Sequence, residues 1–224
     1  MKSNIQNQKD TIDQIDSAIE SSVASLDIEF DEELRALYEG LTGSFNQLCE
    51  SWKIWDVTSS HFQDRVRTRS AASTLISKKV VRFSHKPIDD IRANITPIYF
   101  NNANGADLYF YPNFLIVYSS KRKFAILGLD EIRVEFSPVR FVETDLVPRD
   151  SKVIDRTWVK VNKNGTPDRR FKDNREIPIV QYGSIALKSP NGLNEEYMFS
   201  NFESAEDFCR RFLEYQKVLA QLNK

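Results

Sequence analysis

Residues 108–129, LYFYPNFLIVYSSKRKFAILGL, form the most plainly core-forming stretch of the chain. Two apolar blocks flank a short basic turn, and both blocks are rich in the aromatic and β-branched residues that favour strands. Apolar runs of this length, bounded by turn residues, are typical of buried strands. The stretch therefore predicts the central strands of a sheet, onto which the rest of the chain is built.

The chain from residue 96 onward reads as about seven short strands separated by turns. Asn164-Gly165 and the Pro-Asn-Gly sequence at 190–192 mark two of these turns. One strand is expected over residues 177–187, with a bulge at Gly183. No helical stretch separates the strands, which excludes the βαβ units of a parallel sheet. An antiparallel barrel or sandwich remains.

The segment from Ser204 to the C-terminus predicts an amphipathic helix that closes the β core. Ser204 and Asp207 have the spacing of a capping box, which marks a helix start. Apolar residues then follow at helical spacing, with charged residues between them. These apolar residues are Ala205, Phe208, Cys209, Phe212, Leu213, Leu219 and Leu222. Cys209 is expected to act as a small buried hydrophobe.

The first 58 residues predict an acidic helical hairpin, because apolar residues recur every three or four positions over 12–26 and again over 30–55. Residues 59–95 predict a connector with a short strand. The apolar stripe could pack on the C-terminal part of the same chain or on a second copy. The first is favoured, since a long coiled coil needs more heptads. The candidate interface residues for a partner protein or homo-oligomer are Leu34, Leu37, Leu41, Phe45, Leu48 and Trp52.

Charge is divided unevenly along the chain, with a net −8 in residues 1–50 and a net +7 in the remainder. Such asymmetry indicates two modules, or one module with a partner. Cys49 and Cys209 are far apart and form no disulfide framework, which favours a reducing compartment. No stretch approaches the roughly 20 apolar residues of a membrane span. The N-terminal region also lacks the apolar segment of a signal peptide. We therefore expect a cytoplasmic protein without a transmembrane segment.

Signatures of catalysis are nearly absent from the sequence. His61 and His85 are the only two histidines, and no Cys/His spacing suits zinc. The seven glycines form neither a GxxxxGK[ST] nor a GxGxxG phosphate loop, and there is no GxSxG elbow. We therefore expect no enzymatic activity, no metal and no cofactor. A non-catalytic subunit of a larger enzyme assembly is one alternative.

Two basic clusters are the candidate ligand-binding sites. One is the turn at 121–123, and the other is a loop within 166–175. Arginine is suited to bidentate capture of phosphate or carboxylate. If the clusters share a face, they predict binding of nucleic acid or a phosphoinositide-type headgroup. If they do not, each is a solvated turn, with nearby acids neutralising the second cluster. The candidate anion-binding residues are Lys121, Arg122, Lys123, Arg169, Arg170, Lys172 and Arg175.

The segment LYFYPNFLIVYSSKRKFAILGLDEI resembles the pattern of pleckstrin-homology (PH) and GRAM-like domains and their bacterial relatives. In those domains a strand, a basic turn and a strand ending in a small residue and an acid lead toward the next strand. A C-terminal helix caps the open end of a seven-stranded, partly open barrel. The resemblance covers residues 96–222 and implies a PH-like domain over 96–224.

The expected fold is α+β: an N-terminal helical hairpin, then an antiparallel PH-like β-barrel or sandwich capped by a C-terminal helix. Such barrels serve lipids, peptides and structural roles alike, so the fold alone does not name a ligand. Because catalytic residues are absent, the sequence favours a non-catalytic interaction or scaffold module. Its partner protein would bind through the barrel and the N-terminal helices. Binding of an anionic ligand through the basic loops is the alternative.

Overall fold

The structure, a computed structural model, describes residues 24–62 and 74–222. Within them lie thirteen strands, two α-helices and one 3-10 helix. The strands are β1 (Ala24–Leu26), β2 (Ile54–Phe62), β3 (Thr74–Val81), β4 (Phe83–His85), β5 (Ile91–Ala93), β6 (Ile98–Phe100), β7 (Asp107–Phe110), β8 (Phe114–Ser120), β9 (Lys123–Gly128), β10 (Arg133–Val142), β11 (Lys152–Trp158), β12 (Glu176–Lys188) and β13 (Asn194–Phe199). The helices are α1 (Glu32–Cys49), α2 (Phe202–Leu222) and the 3-10 helix Leu129–Glu131.

The strands form two large antiparallel sheets and one small parallel sheet. The six-stranded sheet has the order β10-β12-β13-β2-β3, and β11 pairs with the first part of β12. The five-stranded sheet has the order β4-β6-β7-β8-β9. Strands β1 and β5 pair in parallel. Only one residue separates β3 from β4, so the chain passes there directly from one large sheet to the other.

The main core lies between the two large sheets and is closed by both helices. Its buried side chains come from α1, α2 and strands of both sheets. A second apolar cluster covers the outer face of the five-stranded sheet, under the segments that contain β1 and β5. A third lies on the outer face of the six-stranded sheet. Each large sheet is therefore apolar on both faces over part of its area.

Helix α1 belongs to the core of this chain. Asp31 caps its N-terminus by accepting a hydrogen bond from the Leu34 backbone N–H at 2.7 Å, which satisfies one of the free donors of the first turn. A side chain at Gly40 would meet the Arg211 guanidinium of α2 at 3.1 Å, so the two helices lie close together there. Four of the candidate interface residues are buried in the core, and Leu37 packs against it. The four are Leu34, Leu41, Phe45 and Leu48.

The predicted fold class, a helical hairpin followed by an antiparallel PH-like β-barrel or sandwich, is wrong. The described residues contain far more strand than helix, with only two α-helices, and the sheets are not closed into a barrel. Strands β9 and β10 do not pair, because the 3-10 helix between them carries the chain from one sheet to the other. The first predicted helix, over residues 12–26, lies largely outside the described residues. The second ends at Cys49, since residues from Ile54 onward pair with β13 and β3.

Most strands predicted between residues 96 and 200 are confirmed. The strands expected at 141–146 and 157–161 are wrong in their bounds, because β10 ends at Val142 and β11 spans Lys152–Trp158, and the expected bulge at Gly183 is wrong. Strand β12 passes through Gly183 in regular register, opposite Pro138 on one side and Phe199 on the other. A Cβ atom at this position would lie 2.8 Å from the Ala205 Cβ atom of α2. Position 183 therefore requires glycine, because α2 packs directly on β12.

The C-terminal helix is confirmed, with a different cap. Helix α2 begins at Phe202, and the Ser204 backbone N–H donates to Asn201 Oδ1 at 3.0 Å. Asn201 therefore caps the helix instead of Ser204. Cys209 is buried as expected, and burial raises the pKa of its thiol to about 11. Leu213, predicted on the apolar face, is exposed, whereas Tyr215 is buried.

Candidate functional site

The basic turn at 121–123 joins β8 to β9 at one end of the five-stranded sheet. Lys121 Nζ lies 3.0 Å from Asp90 Oδ1, and the Tyr118 hydroxyl donates to Asp90 Oδ2 at 3.2 Å. The hydrogen bond from Lys121, with that from Tyr118, holds the pKa of the Asp90 carboxyl below its ordinary value. Arg122 and Lys123 are exposed. The turn is thus tied to the protein by Lys121 and presents two further cations to solvent.

The second basic cluster lies in the connection between β11 and β12. Arg170 makes a two-pronged contact with Asp168, through Nε at 2.9 Å and Nη2 at 2.8 Å. Asp168 is buried, and this contact raises the pKa of the Arg170 guanidinium. Arg169, Lys172 and Arg175 are exposed. The two basic clusters have separate acidic partners, and their joint action on one anion stays a prediction.

Trp52 is the one candidate interface residue that is well exposed, at 44%. It follows α1, and the Arg149 guanidinium lies 4.2 Å from the centroid of its ring. Its backbone N–H donates to Asp150 Oδ2 at 2.7 Å. These contacts fix Trp52 on the surface beside the segment before β11.

Strand β9 forms an open edge of the five-stranded sheet. It pairs with β8 and with no other strand among those described. Its first four residues are exposed, including Phe124 at 55% and Ile126 at 58%. These two side chains share one face of the strand because side chains alternate between faces. A strip of apolar surface therefore runs along an unpaired edge.

The hydrogen-bond pattern shows which backbone groups of β9 point away from β8. The Leu129 N–H donates to the directly opposite Asn113 carbonyl at 3.3 Å, just beyond the end of the strand. In an antiparallel ladder, hydrogen-bonded pairs alternate with pairs that are not bonded. Counting back from Leu129, the N–H and C=O groups of Phe124 and Ile126 point away from β8. Their immediate neighbours in the strand bond to β8.

The other edges of the described sheets carry features that discourage strand addition. Strand β10 has Pro138 in its middle and several charged side chains, and β3 carries Lys79. Strand β11 is charged and interrupted by a bulge between Val153 and Asp155. Strand β4 is only three residues long. Proline, lysine, bulges and short length all protect edges from pairing. Strand β9 has an apolar centre without proline and is the least protected of these edges.

A groove of about 460 Å³ lies on the outer face of the six-stranded sheet. The Ser184 hydroxyl donates to Glu196 Oε1 at 2.6 Å within it, and burial raises the pKa of the nearby Glu195 carboxyl. Its lining is mostly polar, whereas small-molecule sites are usually lined by apolar and aromatic side chains. Among the described residues, no group of three or more His, Cys, Asp or Glu could hold a metal ion.

Lys78 fills an aromatic cage on the same face of this sheet. Its Nζ atom lies 3.8 Å from the ring centroids of both Trp55 and Phe141. Rings at this distance attract a cation through their electron-rich faces. Burial lowers the pKa of Lys78 to about 8, although Glu143 and Asp145 oppose the shift. The cage is therefore occupied by the protein's own ammonium group and is not an open binding site.

Basic turns and strands are visible in the sequence, but the open edge of β9 is not. Phe124 and Ile126 read as core residues, because an apolar strand in a sequence looks the same at the centre and at the edge of a sheet. The polar residues of the neighbouring turn, 119–123, are the local sign in the sequence that this region reaches the surface.

No helix in the described part of the chain is both long and apolar enough to cross a membrane. Comparisons with protein-family models, curated proteins and solved structures gave no match. The resemblance to PH and GRAM-like domains therefore stays a prediction.

Proposed function

We propose that this protein is a non-catalytic interaction module that binds a partner protein by adding a strand at the β9 edge. The observation that carries the proposal is the open edge itself, with outward backbone groups at Phe124 and Ile126 beside exposed apolar side chains. In strand addition, main-chain hydrogen bonds supply affinity, and contacts to alternate side chains supply specificity.

The apolar strip on β9 continues an apolar row of the sheet. Phe124 lies opposite Tyr118, and Ile126 lies opposite Ile116, which belongs to the cluster on the outer face. A partner strand with apolar side chains on this face would extend that cluster by one strand. Fully burying a side chain such as phenylalanine or isoleucine is worth about 1.5–3 kcal/mol. The strip therefore supports binding of a strand with alternating apolar residues.

The basic turn indicates the charge of the partner. Arg122 directly precedes β9 and Lys123 is its first residue, and both are exposed. Acidic residues at the matching end of a partner strand would be attracted to them, which favours one orientation and raises the association rate. We expect a partner strand with apolar residues at alternate positions and an acidic end near the turn.

Selection of peptides from a random displayed library on the purified protein tests this function. Selected peptides are expected to have the pattern just described. Ile126→Pro removes an outward N–H group and should weaken binding at least tenfold, about 1.4 kcal/mol. Ile126→Ala keeps the N–H group and should have a smaller effect. Isothermal titration calorimetry with one selected peptide measures all three affinities.

Two controls make the result specific. Val80→Ala trims an exposed aliphatic side chain on β3, at the edge of the other large sheet, and should leave peptide affinity unchanged. Circular dichroism should show that Ile126→Pro is folded, because proline is tolerated on an edge strand where the N–H group faces solvent. Equal affinity of a selected peptide for wild type and a folded Ile126→Pro variant would rule out β9 as the binding edge.

A further inference from the structure

We infer that the strand added at the β9 edge is β9 of a second copy of this chain, paired antiparallel across a two-fold axis at Ile126. The inference rests on the proposed function, strand addition at β9, and names the partner. Symmetric dimers require a surface that is complementary to itself. The order of residues along β9 and around its two ends meets that requirement.

The direction of the backbone groups restricts the register. Two strands bond only where outward-facing residues of one copy meet outward-facing residues of the other. By the same alternation, the outward-facing residues of β9 are Phe124, Ile126 and Gly128. Of the possible two-fold axes within the strand, only the axis at Ile126 pairs all three outward-facing residues of both copies.

Charge supports the same axis. With Ile126 opposite itself, Phe124 faces Gly128 of the second copy, and the turn that contains Arg122 comes to the end of β9 in the second copy, next to the 3-10 helix that contains Asp130. Arg122 and Asp130 are both exposed, so each is available for this contact. With an axis at Phe124, Arg122 would face Ile126 of the second copy, and with an axis at Gly128, Asp130 would face Ile126 of the second copy. Neither register brings opposite charges together, and complementary charges favour association.

The Asp130 carboxyl group would lie at the interface in this register. Phe124 would face Gly128 of the second copy, which has no side chain of its own. A Cβ atom at Gly128 would collide with the Asp130 carboxyl group, so that acid already lies over the glycine. In the dimer the carboxylate would therefore lie beside Phe124 of the second copy, two residues along the chain from Arg122. Each dimer contains two such pairs, related by symmetry.

Charge exchange between Arg122 and Asp130 tests the register. Arg122→Asp and Asp130→Arg each place like charges together and should raise the dimer dissociation constant at least tenfold, about 1.4 kcal/mol per factor of ten. An equimolar mixture of the two variants should form a heterodimer, because both contacts are then between opposite charges. The variant carrying both changes should dimerise like wild type. Sedimentation velocity at low salt measures each association.

Lys217→Asp is the matched control, because it makes the same change of charge as Arg122→Asp at an exposed position on α2. It should leave dimerisation unchanged. A wild type that stays monomeric at every concentration would overturn the inference. A mixture of the two charge variants that stays monomeric would also overturn it.

The same samples separate failure of this inference from failure of the proposed function. Peptide affinity is measured for wild type and for Ile126→Pro alongside sedimentation. If a peptide binds through the Ile126 N–H group but the protein does not dimerise, the proposed function is supported and the second copy is excluded as the partner. Loss of both means that β9 binds no strand.

Discussion

Replacing Phe45 with alanine is expected to lower the free energy of unfolding by about 3–5 kcal/mol. The Phe45 side chain is fully buried, and its ring centroid lies 5.9 Å from those of both Phe100 and Phe208. It therefore joins α1 to the five-stranded sheet and to α2. Truncation would remove these contacts and leave a cavity that the surrounding strands cannot fill by small movements.

Urea unfolding followed by circular dichroism measures this loss for Phe45→Ala. Leu213→Ala is the control, because Leu213 is 44% exposed on α2; its effect should stay below about 1 kcal/mol. A loss for Phe45→Ala no larger than that of the control would mean that α1 is not part of the folded core.

Gly183→Val is expected to destabilise the protein by about 2–3 kcal/mol through overpacking. An added Cβ atom would lie 2.8 Å from the Ala205 Cβ atom and 3.1 Å from the Phe136 ring. Neither group is the end of a long flexible side chain, so α2 would have to move away from β12. The change should therefore loosen the packing of the C-terminal helix as well as lower the melting temperature.

Gly43→Ala is the matched control for this substitution, since an added Cβ atom at Gly43 meets nothing within 4 Å. Alanine is the better helix former, so Gly43→Ala should stabilise α1 by up to about 1 kcal/mol. Thermal unfolding of both variants gives the comparison. A Gly183→Val variant as stable as wild type would show that α2 does not pack closely on β12.

Local patterns in the sequence predict local structure well in this protein. The alternation and turns between residues 96 and 200 predict strands that the structure contains, and the apolar spacing after Ser204 predicts α2. The helical spacing of Trp52 and Trp55 wrongly predicts that the helix continues to residue 55. Trp55 lies in strand β2, where it packs against Tyr182. Spacing within a segment carries no information about the distant strand β13, with which β2 pairs.

The arrangement of the sheets is equally non-local. From the sequence alone, Gly183 indicates a bulge. In the structure, glycine is required at this position because Ala205, more than twenty positions away along the chain, packs against it. For the candidate site, the sequence predicts the basic turn, and only the strand order shows that Phe124 and Ile126 lie at an unpaired edge. Burial of an apolar strand depends on its neighbours, and these are set by tertiary contacts.

The central claim is that the outward backbone groups of β9 bind a second strand, and amide hydrogen exchange of β9 tests it most directly. In Arg122→Asp, expected to be monomeric, the amides of Phe124 and Ile126 should exchange rapidly, while those of Ala125 and Leu127 are protected by β8. In wild type above its dimer dissociation constant, all four amides should be protected. Rapid exchange at Phe124 and Ile126 in both proteins would contradict the claim.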